Sequence, residues 1–179
     1  MDRRHAIQHL GAALALPFLP RSAAAAIQAG EALHLRLLGE EVPFRTLKAH
    51  QAALVTEISE MIIPETGTPG AKSVKVPEFI DLILTEWMSE EEKTTLLAGL
   101  DEIQAKGFGG MSHAQKVDML TTLDTARQES AGAGHAFGRL KALTVYGYFT
   151  SQRVQREVLK TQMIFVDGYK GNVPFTPAS

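Results

Sequence analysis

Apolar residues recur at helical spacing in five stretches between residues 47 and 144, and the strict alternation typical of β-strands is essentially missing. In each stretch they return every three or four residues, which places them on one face of an α-helix. The five stripes are Leu47, Leu54, Ile58, Met61 and Ile62; Phe79, Ile80, Ile83, Leu84 and Trp87; Leu96, Leu97, Leu100 and Ile103; Val117, Leu120 and Leu123; and Phe137, Leu140, Leu143 and Thr144. The pattern predicts an all-α fold, a single compact domain of five or six helices with long loops and an extended C-terminal tail.

Capping signals bound several of these stripes. Ser89 with Glu92, and Ser112 with Gln115, form two capping boxes, in which side chains three residues apart satisfy free backbone N–H groups. Gly107 stands where glycine is favoured just after a helix. These signals predict helices that begin after Ser89 and Ser112 and a helix that ends before Gly107.

Further boundary signals concern the first two helices and the C-terminal part. Thr46 is the predicted cap of the first helix, Pro64 its end, and Pro77 suits the first turn of the second helix. Thr150 or Ser151 is the predicted cap after the last stripe.

The N-terminus predicts export. Residues 1–25 combine a basic start, a short interrupted apolar core and alanines suited to cleavage, as in a signal peptide. The adjacent Arg3 and Arg4 resemble a twin-arginine signal, although a basic N-terminal helix that stays on the protein is the alternative. Because the core is too short to cross a bilayer, the sequence predicts no membrane span. After the signal we predict a flexible lead-in over 26–44, broken by glycines and a proline, and a helical domain over 45–179.

Composition narrows the function by exclusion. The chain of 179 residues has no cysteine, which excludes thiol catalysis, disulfides and cysteine-ligated metals. Its formal net charge of −2 gives no electrostatic reason to expect nucleic-acid binding. A chain of this length can bury a core without a metal or a disulfide.

No active site can be assembled from the remaining candidates. Four histidines follow the predicted signal, each without the spacing of a metal-ligand motif: His34, His50, His113 and His135. Glu57 and Glu60 lie three residues apart on a predicted helix, where a structural role is the expectation. The sequence therefore predicts no catalytic, cofactor-binding or metal-binding residue in this chain.

Large aromatic residues cluster near the C-terminus and in its Gly- and Pro-rich tail. Aromatic side chains in irregular segments suit contacts with another protein. A tail that merely wraps its own helices is the alternative. The predicted partner-interface residues are Tyr146, Tyr148, Phe149, Tyr169 and Phe175.

Three segments together resemble a known family. They are "IIPETGTPGAKSVKVPEFID", "GYFTSQ" and "GYKGNVPF", which follow one another in this order. Their order and spacing are similar to the gluconate 2-dehydrogenase subunit 3 family, the small subunits of bacterial membrane-associated sugar dehydrogenases. The resemblance spans about residues 47–175, nearly all of the predicted mature chain.

The resemblance implies a role beside a larger protein. Such subunits accompany a large flavoprotein of the glucose–methanol–choline oxidoreductase type, which holds FAD and oxidises a sugar hydroxyl. A c-type cytochrome, with haem c in a third subunit, is a further partner that the resemblance allows. The small subunit is thought to carry the twin-arginine signal and to take its folded partner into the periplasm, where the complex can be membrane-associated. No catalytic residues are established for these subunits, so none is assigned here.

Two positions depart from the pattern of the family. Gln152 and Asn172 stand where relatives often have an acidic residue and a cysteine, so no disulfide can tie this chain to its partner. We expect an exported, non-catalytic accessory subunit of an FAD-dependent sugar or sugar-alcohol dehydrogenase. The alternative is a free-standing periplasmic helical enzyme or ligand-binding domain.

Overall fold

Seven α-helices and one 3₁₀ turn make up the regular structure of residues 23–37, 43–127 and 131–160, which are those described by the computed structural model. The helices are α1 (Ala23–Leu35), α2 (Ala49–Ile62), α3 (Val76–Glu86), α4 (Glu90–Ala105), α5 (His113–Thr125), α6 (Gly132–Thr150) and α7 (Gln152–Glu157), and the 3₁₀ turn is Phe108–Gly110. The described residues contain no β-strand and form one compact body, so the predicted all-α class is confirmed. The predicted C-terminal tail beyond residue 160 lies outside the described residues.

The predicted capping boxes are present. The Ser89 hydroxyl accepts the Glu92 N–H at 3.3 Å, and the Glu92 carboxylate accepts the Ser89 N–H at 3.2 Å. Ser112 and Gln115 exchange the equivalent hydrogen bonds at the start of α5. Gly107 follows α4 with a φ of 83°, the left-handed conformation that glycine commonly adopts just after a helix, as predicted.

The start of α2 differs from the prediction. Thr46 does not cap this helix, because its hydroxyl lies 2.8 Å from the hydroxyl of Thr85 on α3. The cap residue is Lys48, whose N–H donates to the Gln51 side chain at 3.1 Å. The Thr46 side chain, which the local sequence predicted as the cap of α2, is thus used in a tertiary contact instead.

A buried carboxylate fixes the approach to α2. Asp81 on α3 is 3% exposed and accepts the backbone N–H groups of Arg45, Thr46 and Leu47 at 2.8, 3.0 and 2.8 Å. These bonds compensate the burial of the charge, which would otherwise be costly. Residues 45–47 are therefore held against α3 although they form no regular structure.

The core is organised around α6, which packs against each of the other six helices. Leu140 and Leu143 of α6 are fully buried, as are Ile58 of α2, Phe79 of α3 and Ile103 of α4. Each such side chain contributes about 1.5–3 kcal/mol through the hydrophobic effect. The apolar stripes predicted from the sequence meet on this central helix.

The first part of the predicted lead-in over 26–44 belongs to α1. Leu33, His34 and Leu37 are buried at or after the end of this helix. In the sequence, Gly30 was interpreted as interrupting the helical pattern. The structure places Gly30 inside α1, where a Cβ would come within 2.6 Å of the Thr150 side chain. The glycine is there for close packing on α6, and that packing offsets its weak helix propensity of about 1 kcal/mol.

Candidate functional site

The aromatic motif predicted to face a partner lies on the last turns of α6. Tyr146 is 8% exposed and meets the ring of Phe79 edge to face, with 5.5 Å between the ring centroids. Tyr148 is 4% exposed, and its hydroxyl donates to the Pro69 carbonyl oxygen at 2.9 Å. Burial raises the pKa of Tyr146 to about 12. Both tyrosines join α6 to other parts of this chain.

Gly147, between the two tyrosines, is the point where α1 and α3 reach α6. Its carbonyl oxygen lies 2.6 Å from His34 Nε2. The His34 ring stacks on the Phe79 ring at 4.5 Å and 10°. A Cβ on Gly147 would lie 2.7 Å from Phe79 Cδ1, so only glycine admits this ring.

His34 has a structural role in this contact. Burial lowers its pKa to about 4, and the hydrogen bond with the Gly147 carbonyl opposes that shift only in part. The ring is therefore neutral at pH 7, and Nε2 carries the proton because a carbonyl oxygen can only accept.

Of the remaining predicted interface residues, one is described by the structure and two are not. Phe149 is partly buried against the core and meets Tyr148 edge to face at 5.3 Å. Tyr169 and Phe175 lie outside the described residues. The burial of Tyr146 and Tyr148 leaves little ring surface for another protein, and an interface that uses these aromatic residues stays a prediction.

The glutamate pair of α2 holds neighbouring segments in place. Glu60 accepts the backbone N–H groups of Glu65 and Lys72, both at 2.9 Å, across the loop that follows α2. Glu57 forms an ion pair with Lys116 of α5. These contacts match the structural role expected for the pair.

An open groove of about 960 Å³ runs along α2. The small residues Ala49, Ala52 and Ala53 line it, together with Phe44 and Met61. Charged side chains from α2 and the following loop also line the groove, so its surface is partly apolar and partly charged.

An ion-pair cluster joins the C-terminal ends of α1 and α3 with the segment before α2. Arg36 binds the Glu86 carboxylate with both terminal nitrogens, at 2.6 and 2.8 Å. Arg45 Nη2 lies 2.7 Å from the same carboxylate. The two guanidinium groups lower the pKa of Glu86 to about 2, so its charge is constant at physiological pH.

Three of the four exposed large hydrophobic residues in the described part of the chain adjoin this cluster. Leu35, Phe44 and Trp87 are 57%, 37% and 38% exposed. Each is adjacent in sequence to one residue of the ion-pair cluster. The arginine–aromatic patch consists of Leu35, Arg36, Phe44, Arg45, Glu86 and Trp87.

The arginine–aromatic patch was not predicted from the sequence. Trp87 was assigned to an apolar helix face, and Leu35 and Phe44 fell in the predicted lead-in. The three segments lie up to 52 positions apart in the chain, so no local pattern marks their meeting.

Two further observations concern metals and membranes. Within the described ranges, no group of three or more His, Cys, Asp or Glu side chains is placed to hold a metal ion. Among the helices of those ranges, none is both long enough and apolar enough to traverse a bilayer.

Comparison with protein families decides the identity of the chain. The model of the family "Gluconate 2-dehydrogenase subunit 3" matches residues 49–168, more than half of the sequence. The chain belongs to the gluconate 2-dehydrogenase subunit 3 family. No curated protein and no solved structure gives a significant match.

Membership in the subunit 3 family confirms the resemblance found in the sequence and indicates an accessory subunit of a dehydrogenase complex. Its partner is a larger component of that complex. The subunit 3 match begins at the first residue of α2, so α1 and residues 43–48 lie outside it. The arginine–aromatic patch thus combines residues from inside and outside the matched range.

Proposed function

We propose that this chain is the non-catalytic accessory subunit of an exported FAD-dependent dehydrogenase of the glucose–methanol–choline type, which oxidises a sugar or sugar alcohol. The observation that carries the proposal is the subunit 3 match over residues 49–168. In this function the chain supports the folding and stability of the larger subunit.

The proposal assigns FAD to the larger subunit. A dinucleotide pyrophosphate is typically bound where a Gly-rich loop joins a β-strand to a helix. The described residues of this chain are helices and connecting loops, which supports placing the flavin in the partner. Electrons from the flavin would pass to a c-type cytochrome with haem c in a third subunit.

Export by the twin-arginine route is the second part of the proposal. Arg3 and Arg4 followed by a weakly apolar stretch are the sequence features that support it, and they lie outside the described residues. Because this route carries folded proteins, one signal on the small subunit can serve both subunits. The assembled complex would then act in the periplasm, free or associated with the membrane through another subunit.

Replacement of both Arg3 and Arg4 by Lys tests the function and its location together. We expect sugar-dependent dye reduction by the larger subunit to move from the periplasmic to the cytoplasmic fraction, because Lys keeps the charge but not the twin-arginine signal. The matched control is Arg21→Lys, outside the arginine pair.

Three results would count against the proposal. Unchanged periplasmic activity in the Arg3 and Arg4 double variant would contradict the export route. Unchanged activity after deletion of the whole gene would contradict the accessory function, and turnover by the flavin-free chain alone would favour the free-standing alternative.

A further inference from the structure

A cavity of about 330 Å³ lies where the end of α1, the loop before α3 and helix α7 meet. Its volume falls at the lower end of the range for small-ligand pockets, about 300–1,000 Å³. Leu37 and Val74 are apolar side chains of its lining. The polar side chains that line it include His34, Ser73, Ser151, Gln152 and Arg156. This α7 cavity therefore combines apolar walls with several hydrogen-bonding groups, as ligand pockets usually do.

His34 offers the cavity a hydrogen-bond acceptor. The side chain is 5% exposed, and its Nε2–H group donates to the Gly147 carbonyl oxygen at 2.6 Å. In a neutral imidazole the second nitrogen, Nδ1, then carries a lone pair. Within the described residues no group donates to Nδ1, yet Nδ1 is not among the polar atoms that are cut off from water without a partner. A donor from outside the chain can therefore reach this nitrogen through the cavity.

Helix α7 adds a cation and an amide to the lining. Gln152 and Arg156 are four residues apart on this helix, so their side chains are neighbours on one face. In residues 23–37, 43–127 and 131–160, neither side chain has a hydrogen-bond or ion-pair partner. Arg153 lines the cavity as well, but the Glu157 carboxylate accepts its Nε–H group at 3.1 Å. The charge of Arg153 is thus compensated by Glu157, whereas Arg156 has no such counterion among the described residues.

The loop side of the cavity is held in place by its own hydrogen bonds. Lys75 has a φ of 58°, in the left-handed region that a residue with a side chain seldom adopts. Its ammonium group donates to the Leu37 carbonyl oxygen at 2.8 Å, which joins the loop to the segment after α1. The Ser73 hydroxyl donates to the Gly70 carbonyl oxygen at 3.0 Å. Strained residues cluster at functional sites, and a wall that is already ordered loses little entropy when a ligand binds.

We propose that the α7 cavity binds a small hydroxy acid, with a ligand hydroxyl donating to His34 Nδ1 and the ligand carboxylate bound by Arg156. A hydroxyl group both donates and accepts, so it also suits the Gln152 amide. Arginine binds carboxylates through paired N–H groups, and such charge-assisted bonds are about twice as strong as neutral ones. A hydroxy acid therefore supplies partners for the acceptor and for the cation of this lining. This binding goes beyond the proposed accessory function and does not depend on it.

Calorimetric titration of the full-length chain with three probes tests the ligand class. Glucuronate carries hydroxyl groups and a carboxylate on one ring, glucose has the hydroxyl groups alone, and cyclohexanecarboxylate has the carboxylate alone. We expect glucuronate to bind with a Kd of about 1 mM or lower. Glucose and cyclohexanecarboxylate should each bind about tenfold more weakly, because each leaves one polar group of the site without a partner.

Two variants of α7 locate the site. Arg156→Gln should weaken glucuronate binding about tenfold, because a charge-assisted hydrogen bond is lost. Gln152→Glu should weaken it by at least as much, since the new carboxylate lies beside Arg156 and competes with that of the ligand. Lys106→Gln is the matched control, because it removes an exposed positive charge at the end of α4, outside the cavity lining. Helicity and the urea midpoint of each variant establish that it is folded.

The ring of His34 provides a readout at the inner end of the site. In nitrogen NMR of the labelled chain, the Nδ1 resonance should move on addition of glucuronate, because this nitrogen accepts a hydrogen bond from the ligand. The same addition to Gln152→Glu should leave the resonance in place. A resonance that does not move in the wild-type chain at saturating glucuronate overturns the role of Nδ1.

The outcomes separate the α7 cavity from the proposed function. The hydroxy-acid site is overturned if glucuronate shows no saturable binding at millimolar concentrations, or if glucose or cyclohexanecarboxylate binds as tightly. Unchanged glucuronate affinity in folded Arg156→Gln and Gln152→Glu overturns it as well. Complex formation with the larger dehydrogenase subunit is measured separately by co-purification. A chain that binds glucuronate but forms no complex contradicts the proposed function alone, and a complex whose small subunit binds no glucuronate contradicts the site alone.

Discussion

Gly147 illustrates how one residue type can decide the packing of three helices. Its missing side chain lets the Phe79 ring approach α6, and its carbonyl oxygen binds the His34 ring. Tyr146 and Tyr148 on either side of it are buried against the same chain. The crowding of aromatic residues at 146–149 thus has a structural cause within the chain.

Substitution Gly147→Ala should lower the free energy of unfolding by roughly 1–2 kcal/mol. Alanine gains about 1 kcal/mol in helix propensity. Overpacking of a core costs about 1–3 kcal/mol, and we expect the upper part of that range here because the Phe79 ring is fully buried. The measurement is urea unfolding followed by circular dichroism. Gly67→Ala is the control, since a Cβ there meets nothing within 4 Å. Equal urea midpoints for wild type and Gly147→Ala would refute the close contact.

At the level of elements, His34 connects α1 to α6 through a hydrogen bond that requires a neutral ring. Its pKa falls from 6.5 to about 4 on burial. Between these pH values the unfolded chain binds more protons than the folded chain, so acid favours unfolding. The contribution is complete above pH 6.5 and is lost as the pH falls toward 4.

This contact predicts a pH dependence of stability that a variant can isolate. The free energy of unfolding should decrease between pH 6.5 and 4 by up to about 3 kcal/mol from His34 alone. His34→Gln keeps an N–H donor for the Gly147 carbonyl but does not titrate. Urea unfolding at several pH values should give a flatter profile for this variant, and the difference removes the effect of carboxylates common to both proteins. Parallel profiles would show that His34 is not buried as described.

Much of the element pattern was predictable because it rests on local chemistry. The apolar stripes that contain Ile58, Phe79 and Leu140 identified core helices, and the capping boxes at Ser89 and Ser112 placed two helix starts. These signals need only residues within a few positions of one another.

The failures of sequence prediction involve contacts between distant segments. Thr46 binds Thr85 instead of capping α2, and Gly30 packs against Thr150 inside a helix where the sequence predicted a lead-in broken by glycines. The arginine–aromatic patch likewise depends on Glu86 meeting residues far from it in the chain. Such contacts exist only once the helices have packed.

For the molecule as a whole, α1 extends the helical domain beyond the range matched by the family. The match starts at residue 49, yet α1 contributes the buried Leu33 and His34 and contacts α3, α6 and α7. It also brings Leu35 and Arg36 to the arginine–aromatic patch.

Native purification of the complex tests the central claim most directly. The full-length chain, tagged at its C-terminus and expressed at its natural level in its own organism, is isolated under mild conditions and analysed by size exclusion with light scattering and flavin absorbance. The account predicts one species that contains this chain and a larger flavoprotein in a fixed ratio, with FAD bound and with sugar-dependent reduction of an electron-accepting dye. A flavin-free chain that elutes alone, with the sugar dehydrogenase activity in other fractions, would contradict it.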